Sequence, residues 1–322
     1  MQKPPFQFNS KILSLVANIQ ELSGQLKAYQ ATKPSLKLRK ENKIRSVCSS
    51  LAIEGNPFDE DQISAILENK RVVGPKAQIK EVQNALQVYD SIEKYNPLNE
   101  KHLLRAHKDL MSDLIEKPGQ YRLRQVGVFK GTKVSHVAPP AKQVPALMTN
   151  LFNFLKTDDE TPWLIKACVF HYELEFIHPF EDGNGRIGRF WQQLLLMKQS
   201  FVFEYISTET LIHERQSDYY KILEKCDRAG DSTLFIEFSL ENILICLTQF
   251  HKSYHPTRVK VSDRLSLAIE HFGRKIFSRK DYLDFNKGIS TATASRDLAL
   301  GVKNKRLVLS GDKKTALYAK IE

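Results

Sequence analysis

The feature that most constrains this chain is the segment His178–Arg189, which reads HPFEDGNGRIGR. The glycines on either side of Asn184 permit a turn directly before a predicted helix. Several backbone N–H groups then converge at the helix N-terminus and form a cradle for an anion. Arg186 and Arg189 lie three residues apart, and therefore on neighbouring positions of one helix face. Because an arginine fork binds two phosphate oxygens at once, the segment predicts a phosphate-binding site.

The same segment contains an acid and a histidine. Asp182 offers a hard oxygen ligand of the kind that Mg²⁺ prefers. His178 is the residue here that can take up a proton near neutral pH. A base, a metal ligand and a phosphate cradle in one loop favour phosphoryl or nucleotidyl transfer to a hydroxyl. The alternative is that the Gly-Asn-Gly turn only starts a helix and that both arginines are solvated.

These residues resemble the motif of the Fic family, also called Fic/Doc, which is HxFx[D/E]GNGRxxR. The fixed positions all match, namely His178, Phe180, Asp182, Gly183, Asn184, Gly185, Arg186 and Arg189. The resemblance extends over about residues 96–250 and implies a mainly α-helical core. It also implies an activity, since Fic proteins generally transfer AMP from ATP to a Ser, Thr or Tyr hydroxyl of a target protein. That reaction uses Mg²⁺ and releases pyrophosphate.

The resemblance implies a role for each matched residue. His178 would be the general base on the target hydroxyl, and Asp182 would hold Mg²⁺ against the α- and β-phosphates. Arg186 and Arg189 would bind the outer phosphates, while Phe180 would be an anchor in the core. The anion hole would be formed by three consecutive loop residues, Gly183, Asn184 and Gly185.

A second match lies upstream, at the end of a helix predicted over about residues 37–53. Residues 50–56 read SLAIEGN and resemble the family's inhibitory motif, [S/T]xxxE[G/N], with Ser50 and Glu54 at its fixed positions. A glutamate at this helix end can pair with Arg189 and so remove the partner of the γ-phosphate. In some self-inhibited members the glutamate also supports removal of AMP. The alternative interpretation is a capped helix whose Glu54 side chain faces solvent. Because the complete active-site motif is present in the same chain, the inhibitory role of Glu54 is favoured.

Two further elements resemble parts of the family's substrate site. A hairpin is predicted around Gly131, with valines at Val126, Val128, Val134 and Val137. It resembles the flap along which a target segment adds as a strand. Downstream, SDYYKIL resembles the segment that helps form the adenine pocket, which favours Tyr220, with Tyr219 as the alternative. Asp227 stands near a position where family members often have asparagine. An ordinary surface hairpin and two core tyrosines are the competing interpretations.

The last fifth of the chain is strongly basic. Residues 256–322 contain 15 Lys and Arg against 7 Asp and Glu, and the whole chain has a formal net charge of +11. Three predicted helices followed by a two-strand turn are the pattern of a winged helix. Arg296 in the predicted recognition helix, with Lys313 and Lys314 in the predicted wing, would neutralise phosphates of DNA. The alternative is an interaction or dimerisation module that happens to be basic.

Several other classes of protein are disfavoured. The four cysteines are scattered without a CxxC pair, so neither a zinc ribbon nor a disulfide framework is indicated. No apolar run of about 18 residues predicts a membrane-spanning helix, and no P-loop sequence occurs. His171, Glu175 and His178 imitate a helical metal site by spacing but lack the HExxH pattern. We therefore expect a cytoplasmic protein without a membrane partner.

Together these patterns predict a mainly α-helical protein of three parts. They are an N-terminal helical region with the inhibitory motif (1–95), a Fic core with a short β-hairpin flap (96–253) and a winged-helix-like domain (256–322). The predicted function is a self-inhibited protein adenylyltransferase that uses ATP and Mg²⁺ and modifies a target protein and itself. The alternatives are a de-AMPylase, a transferase with another nucleotide donor, and a DNA-binding regulator with a nucleotide-sensing core. A homodimer is expected because self-inhibited members often regulate themselves through association.

Overall fold

The described residues of this computed structural model form two compact units. They comprise residues 3–28, 36–125, 127–130, 133–158, 160–253, 261–273, 275–286, 289–312 and 316–321. The first unit combines the described residues up to Leu26 with those from 36 to 253, and the second contains Lys27, Ala28 and the described residues from 261 onward. The predicted boundary near residue 95 therefore lies inside the first unit, and the N-terminal helices share that unit with the predicted core.

The first unit is a bundle of helices with one hairpin, and it confirms the predicted mainly α-helical fold. Its helices are α1 (Ser10–Ala28), α2 (Leu36–Ile53), α3 (Glu60–Leu67), α4 (Lys76–Asp90), α5 (Glu100–Leu110), α6 (Val144–Thr157), α7 (Trp163–Ile177), α8 (Asn184–Gln199), α9 (Thr208–Glu214), α10 (Gln216–Ala229) and α11 (Thr233–Ser253). Short 3-10 helices cover Ile92–Lys94, Ala141–Gln143 and Phe201–Tyr205. The antiparallel strands β1 (Gly127–Lys130) and β2 (Lys133–Val137) connect α5 to α6.

Helices α7 and α8 form the centre of this unit and hold the loop between them from both ends. The helix α7 is buried along almost its whole length, as expected for a helix that is apolar all round. Phe170 on α7 stacks on Trp191 of α8 at 6.3 Å between ring centroids, and Phe152 of α6 packs edge-on against Phe170 at 5.5 Å. Because these rings are fully buried, the ends of both helices have little freedom to move.

The helix α2 docks on the core through a polar stripe. Asn42, Ser46 and Ser49 lie on one face of α2, at the spacing of successive helical turns. The Nδ2 of Asn42 donates to the carbonyl of Glu204 at 3.1 Å. The Ser46 hydroxyl donates to the fully buried carboxylate of Glu209 at 3.2 Å, and Ser49 shares a hydrogen bond with a neighbouring threonine of α9. These hydrogen bonds fix the rotation of α2 about its own axis. They therefore also determine which side chains at the C-terminal end of α2 face α8.

The second unit is built from α12 (Val261–Phe272), β3 (Phe277–Ser278), α13 (Arg279–Phe285), α14 (Thr291–Lys303), β4 (Leu307–Ser310) and β5 (Leu317–Lys320). The strands form an antiparallel sheet in the order β3-β5-β4. Ser290 caps α14, as its sequence predicts, by accepting from the N–H of Thr293. Lys313 and Lys314, predicted on a wing, lie outside the described residues, and so does the predicted linker at residues 255 and 256.

One helix in the described part of the chain, α11, is long and apolar enough by length and composition to cross a membrane. More than half of its most apolar window is buried inside the first unit. Phe235, Ile236, Leu240 and Ile243 are among its buried side chains. A core helix of this length satisfies the same criteria.

We expect the replacement of Glu209 by alanine to lower the free energy of unfolding by about 3 kcal/mol. The change removes the acceptor of three hydroxyls, which belong to Ser46, Tyr89 and Ser207. Urea denaturation measures the effect. The control Glu224→Ala, on an exposed α10 glutamate, should stay within about 0.5 kcal/mol of the native chain. Equal effects of the two variants would contradict the anchoring role of Glu209.

Candidate active site

His178 lies directly after α7, where the backbone leaves the helix. Its φ of 48° and ψ of 61° belong to the left-handed region, and its N–H still donates to the carbonyl of Leu174 at 2.9 Å. The ring Nδ1 lies 3.3 Å from the carbonyl of Glu175. Because a carbonyl can only accept, this contact places the proton on Nδ1. The Nε2 is then the basic nitrogen of the imidazole.

A buried arginine that the sequence analysis missed holds this turn in place. Arg122 is 2% exposed, and its guanidinium donates to four backbone carbonyls. Its Nε reaches the carbonyl of His178 at 2.7 Å, and its Nη2 reaches that of Pro139 at 2.6 Å. Its Nη1 reaches the carbonyl of Arg124 at 3.0 Å. Since residues 124 and 139 flank the hairpin, one side chain ties the base of the hairpin to the histidine.

A second histidine that the sequence analysis missed, His107, supports the loop from helix α5. His107 on α5 stacks on Phe180 with 3.6 Å between the ring centroids and 7° between the planes. Its Nδ1 accepts from the N–H of Gly119 at 2.9 Å. Its Nε2 therefore carries the proton and donates to the carbonyl of Asp182 at 2.9 Å. Burial lowers the pKa of His107 to about 4, so the ring is neutral near pH 7. Its partners are backbone groups, and for that reason no sequence motif identified it.

Gly183 and Gly185, at the start of α8, leave space that a side chain at either position would fill. Gly183 has a φ of 84°, and a Cβ there would lie 2.7 Å from Sδ of Met111. A Cβ on Gly185 would lie 2.5 Å from Oε1 of Glu54. The side chain of Asn184 both donates to and accepts from the backbone of Phe180, each time at 2.9 Å. The amide of Asn184 therefore braces the loop, and the cradle itself consists of backbone at the N-terminus of α8.

Arg189 is a buried cation near the start of α8. It is 2% exposed and points from α8 toward the end of α2. Its Nε donates to Oγ of Ser50 at 3.0 Å, and its Nη2 donates to the Ser50 carbonyl at 2.9 Å and to Oε1 of Glu54 at 2.7 Å. Burial lowers the pKa of Arg189, but the interactions with Glu54, Tyr219 and Glu175 together outweigh burial and raise it. The structure thus brings together Ser50, Glu54 and Arg189 across 135 or more residues of sequence.

Arg186 is paired with two carboxylates, one of which the sequence analysis missed. Its Nη1 donates to Oε1 of Glu81 on α4, and its Nη2 donates to Oδ1 of Asp182 at 2.7 Å. Asp182 also accepts from the N–H of Gly183 at 2.6 Å. Glu81 lies in the unremarkable segment IKEVQNAL, where one acidic residue on a helix gives no functional signal.

The two predicted pocket tyrosines have different environments. Tyr219 is 1% exposed, and its hydroxyl shares a hydrogen bond with Nε2 of His171 at 3.2 Å. Tyr220 is 36% exposed. His171 also contacts Oε1 of Gln192 through Nδ1 at 2.8 Å, so both of its ring nitrogens have partners in the core. Tyr219 is therefore a core residue, and Tyr220 is the tyrosine accessible to a ligand.

The predicted hairpin is present, with an irregularity in its pairing. Val128 pairs with His136, and Phe129 pairs with Val134, so the register shifts between residues 128 and 129. Gly127 pairs with Val137 at the other end. Val126 lies outside the described residues. An antiparallel pair of strands is the kind of element to which an added strand can hydrogen-bond.

The donor set at Asp182 suits Mg²⁺ only in combination with a phosphate ligand. Its carboxylate is 58% exposed, whereas that of Glu81, which binds the same arginine, is 14% exposed. In the described part of the chain, no cluster of three or more His, Cys, Asp or Glu residues can enclose a metal ion. Mg²⁺ is commonly held by one or two carboxylates together with substrate phosphates. Asp182 above an anion cradle fits that arrangement.

We expect the stability of the protein to fall as the pH drops from about 6.5 to about 4, and His107 to account for up to about 3 kcal/mol of this loss. Burial depresses its pKa in the folded state, so in this range the unfolded chain binds more protons. The contribution is fully present above pH 6.5. Chemical denaturation across this pH range, compared with His107→Gln, isolates the effect. Parallel stability curves for the two proteins would contradict it.

Comparison with known proteins identifies relatives over much of the chain. A model of the Fic/DOC family matches residues 97–196. The crystal structure of a Fic family protein from Desulfovibrio desulfuricans G20 is 35% identical, with a TM-score of 0.74, and the match covers 99% of this chain and 98% of that one. Fic-1 from Caenorhabditis elegans, at 20% identity and a TM-score of 0.62, shares the fold.

Curated relatives match a shorter part of their own length. The protein adenylyltransferase Fic of Nematostella vectensis is 30% identical over 214 residues, which is 64% of this chain and 48% of the relative. That of Culex quinquefasciatus is 28% identical over 257 residues, or 73% of this chain and 49% of the relative. The chain thus spans about half the length of the curated relatives it matches.

Proposed function

The chain belongs to the Fic/DOC family, and on this premise we propose that it is a self-inhibited protein adenylyltransferase. It would transfer AMP from ATP to a hydroxyl of a target protein. The observation that carries this proposal is the loop between α7 and α8. This loop begins with His178 at the end of α7 and leads into the N-terminus of α8, which carries Arg186 and Arg189. The names of the curated relatives, protein adenylyltransferase Fic, support it.

In the proposed reaction His178 acts on the target hydroxyl. Its Nε2 accepts the hydroxyl proton as the oxygen attacks the α-phosphorus of ATP. The bond from that phosphorus to the bridging oxygen of the β-phosphate breaks, and pyrophosphate leaves. The Nδ1 contact with the Glu175 carbonyl keeps the ring in the tautomer that this step needs. Arg122 holds the carbonyl of His178 and so keeps the base at a constant distance from the loop.

The cradle and the arginines stabilise the negative charge of the phosphates. The N-terminus of α8 directs its N–H groups and its dipole at the loop, which favours an anion there. Arg186 and Arg189 would contact the outer phosphates with their forks. Mg²⁺ held by Asp182 would neutralise further charge on the phosphates. The hairpin would hold a target segment as an added strand and bring its hydroxyl to His178.

Inhibition in this proposal follows from the partners of Arg189. Ser50 and Glu54 occupy Nε and Nη2 of its guanidinium, so an ATP γ-phosphate would have to displace Glu54 to bind the fork with two hydrogen bonds. The Glu54 side chain is 30% exposed, whereas that of Arg189 is 1% exposed. Displacement of Glu54 into solvent is therefore the easier movement, because a carboxylate regains hydration there while the arginine stays in place. Activation would thus move the end of α2 and leave α8 unchanged.

We expect Glu54→Gly to incorporate label from ATP carrying ³²P at the α-phosphate, into itself or into a lysate protein. The native chain should label at least about tenfold less, because its Arg189 is occupied. Adding His178→Ala to Glu54→Gly should reduce labelling by about 10²–10⁴-fold, the usual contribution of a general base.

A matched control is Glu68→Gly. Glu68 also directly follows a helix, α3, and it pairs with Lys40 and Lys70 at the surface. It should behave like the native chain. Absence of label in all variants, with ATP, with other nucleoside triphosphates and with an AMP-modified substrate, would contradict transfer and AMP removal at this site alike.

A second proposed function, DNA binding, concerns the second unit by itself. Its order of elements and its sheet order β3-β5-β4 support the winged-helix interpretation. The exposed positions of α14 include two cations, Arg296 and Lys303, which could contact phosphates of a nucleic acid. A DNA-binding regulator with a nucleotide-sensing core is the corresponding function.

We expect Arg296→Ala in the full chain to weaken binding to duplex DNA several-fold. It should also reduce the dependence of log affinity on log salt by about one, because one phosphate contact is lost. Fluorescence anisotropy over a range of salt concentrations measures both quantities. Arg228→Ala, which removes an exposed arginine of the first unit, is the control. No binding of the native chain at low salt would dismiss this function.

A further inference from the structure

Arg186 is held from two sides by carboxylates of very different exposure. Glu81 accepts from its Nη1 and Asp182 from its Nη2. The side chains of Arg186 and Glu81 are 9% and 14% exposed, whereas that of Asp182 is 58% exposed. Water and ions screen the contact with Asp182 much more than the one with Glu81. The ion pair between Arg186 and Glu81 is therefore more persistent than the one between Arg186 and Asp182.

Glu81 is in turn held by the turn that follows the inhibitory helix. Asn56, two residues after Glu54, donates from Nδ2 to Oε2 of Glu81 at 2.8 Å. The same amide donates to the carbonyl of Gln78 at 3.3 Å, and its Oδ1 accepts from the N–H of Phe58 at 3.2 Å. Asn56 is 6% exposed, so these partners leave it a single orientation.

The turn over residues 54–56 is thus linked to both arginines of α8, Arg186 and Arg189, through separate contacts. Glu54 contacts Arg189 directly and occupies the edge assigned above to a phosphate. Asn56 reaches Arg186 indirectly, through Glu81. Glu81 accepts from Nη1 of Arg186, and the exposed Asp182 accepts from Nη2. Glu81 therefore constrains the orientation of the guanidinium through one terminal nitrogen and leaves the other to an exposed partner.

We propose that Glu81 is a positioning residue, which directs the fork of Arg186 at the outer phosphates of ATP, and that Asn56 couples the orientation of this fork to the inhibitory turn. This inference rests on the proposed adenylyl transfer. The Nε of Arg186 is buried and has no hydrogen-bond partner among the described residues, so the orientation of the fork depends on the two carboxylates. When Asp182 turns to another ligand, Glu81 still holds the guanidinium. Without the negative charge of Glu81, the guanidinium of Arg186 still attracts phosphate, but its orientation is no longer fixed.

The test uses Glu54→Gly as the reference, because Arg189 is released in it. We compare it with Glu54→Gly carrying Glu81→Gln. Calorimetry measures the Kd of MgATP and of magnesium tripolyphosphate, and α-³²P labelling at saturating ATP measures the rate. We expect the rate to fall at least about tenfold while the Kd of MgATP stays within about threefold, since misorientation affects the reacting geometry more than ground-state binding. Asn56→Ala in the same background should lower the rate in the same direction by a smaller factor.

Glu204→Gln in the same background is the matched control. Glu204 has a similar side-chain exposure, 15%, and also pairs with an arginine, Arg39, at 2.7 Å. Its rate and Kd should equal those of the reference. An unchanged rate in the Glu81→Gln variant would overturn the positioning role, and a higher rate would make Glu81 a second inhibitory group. Equal losses of rate, affinity and melting temperature would reduce it to a structural residue.

The outcomes also separate this inference from the proposed function. If Glu54→Gly binds MgATP and transfers label, and Glu81→Gln matches it, only the role of Glu81 fails. If Glu54→Gly binds neither MgATP nor magnesium tripolyphosphate, both proposals are overturned. Binding of tripolyphosphate without transfer of AMP would contradict adenylyl transfer while it supports a phosphate cradle at the start of α8.

Discussion

The need to neutralise a buried arginine organises the first unit. Packing of α8 in the core places Arg189 where water cannot solvate it, and an unpaired charge in such a place is strongly destabilising. Glu54 and Ser50 supply the partners, and both come from the end of α2. The N-terminal helical region therefore supplies the carboxylate and the hydrogen-bond acceptors that compensate the buried charge of Arg189. The same contact would deny ATP a phosphate ligand, so stability and the proposed inhibition have one physical origin.

The reactive loop is held almost entirely through its backbone. Arg122 binds the carbonyl of His178, and His107 binds that of Asp182. Asn184 closes the loop on the backbone of Phe180. Because these supports use main-chain atoms, the side chains of His178 and Asp182 are left for chemistry. Such preorganisation is what a reaction at phosphorus requires, since its barrier is lowered mainly by positioning and electrostatics.

Prediction from sequence succeeded where residues close in the chain carry the signal. The turn before α8, the capping of α14 by Ser290 and the hairpin were all predicted as local patterns, and all three are present. It failed where the partner is distant or is backbone. Arg122 and Glu81 appear ordinary in sequence because their partners lie 56 and 105 residues away. The two-residue strand β3 is too short to show any periodicity.

The sequence by itself determined the mainly α-helical class, the family and the order of the residues around the loop. Those properties depend on local spacing, which a chain carries before it folds. Only the tertiary structure decided which groups meet that loop. Packing of α7 against α10 buried Tyr219 on His171 and left Tyr220 exposed. Packing of α2 and α4 against α8 brought Glu54 and Glu81 to the two arginines, because a buried charge must find its partner in space, whatever the distance in sequence.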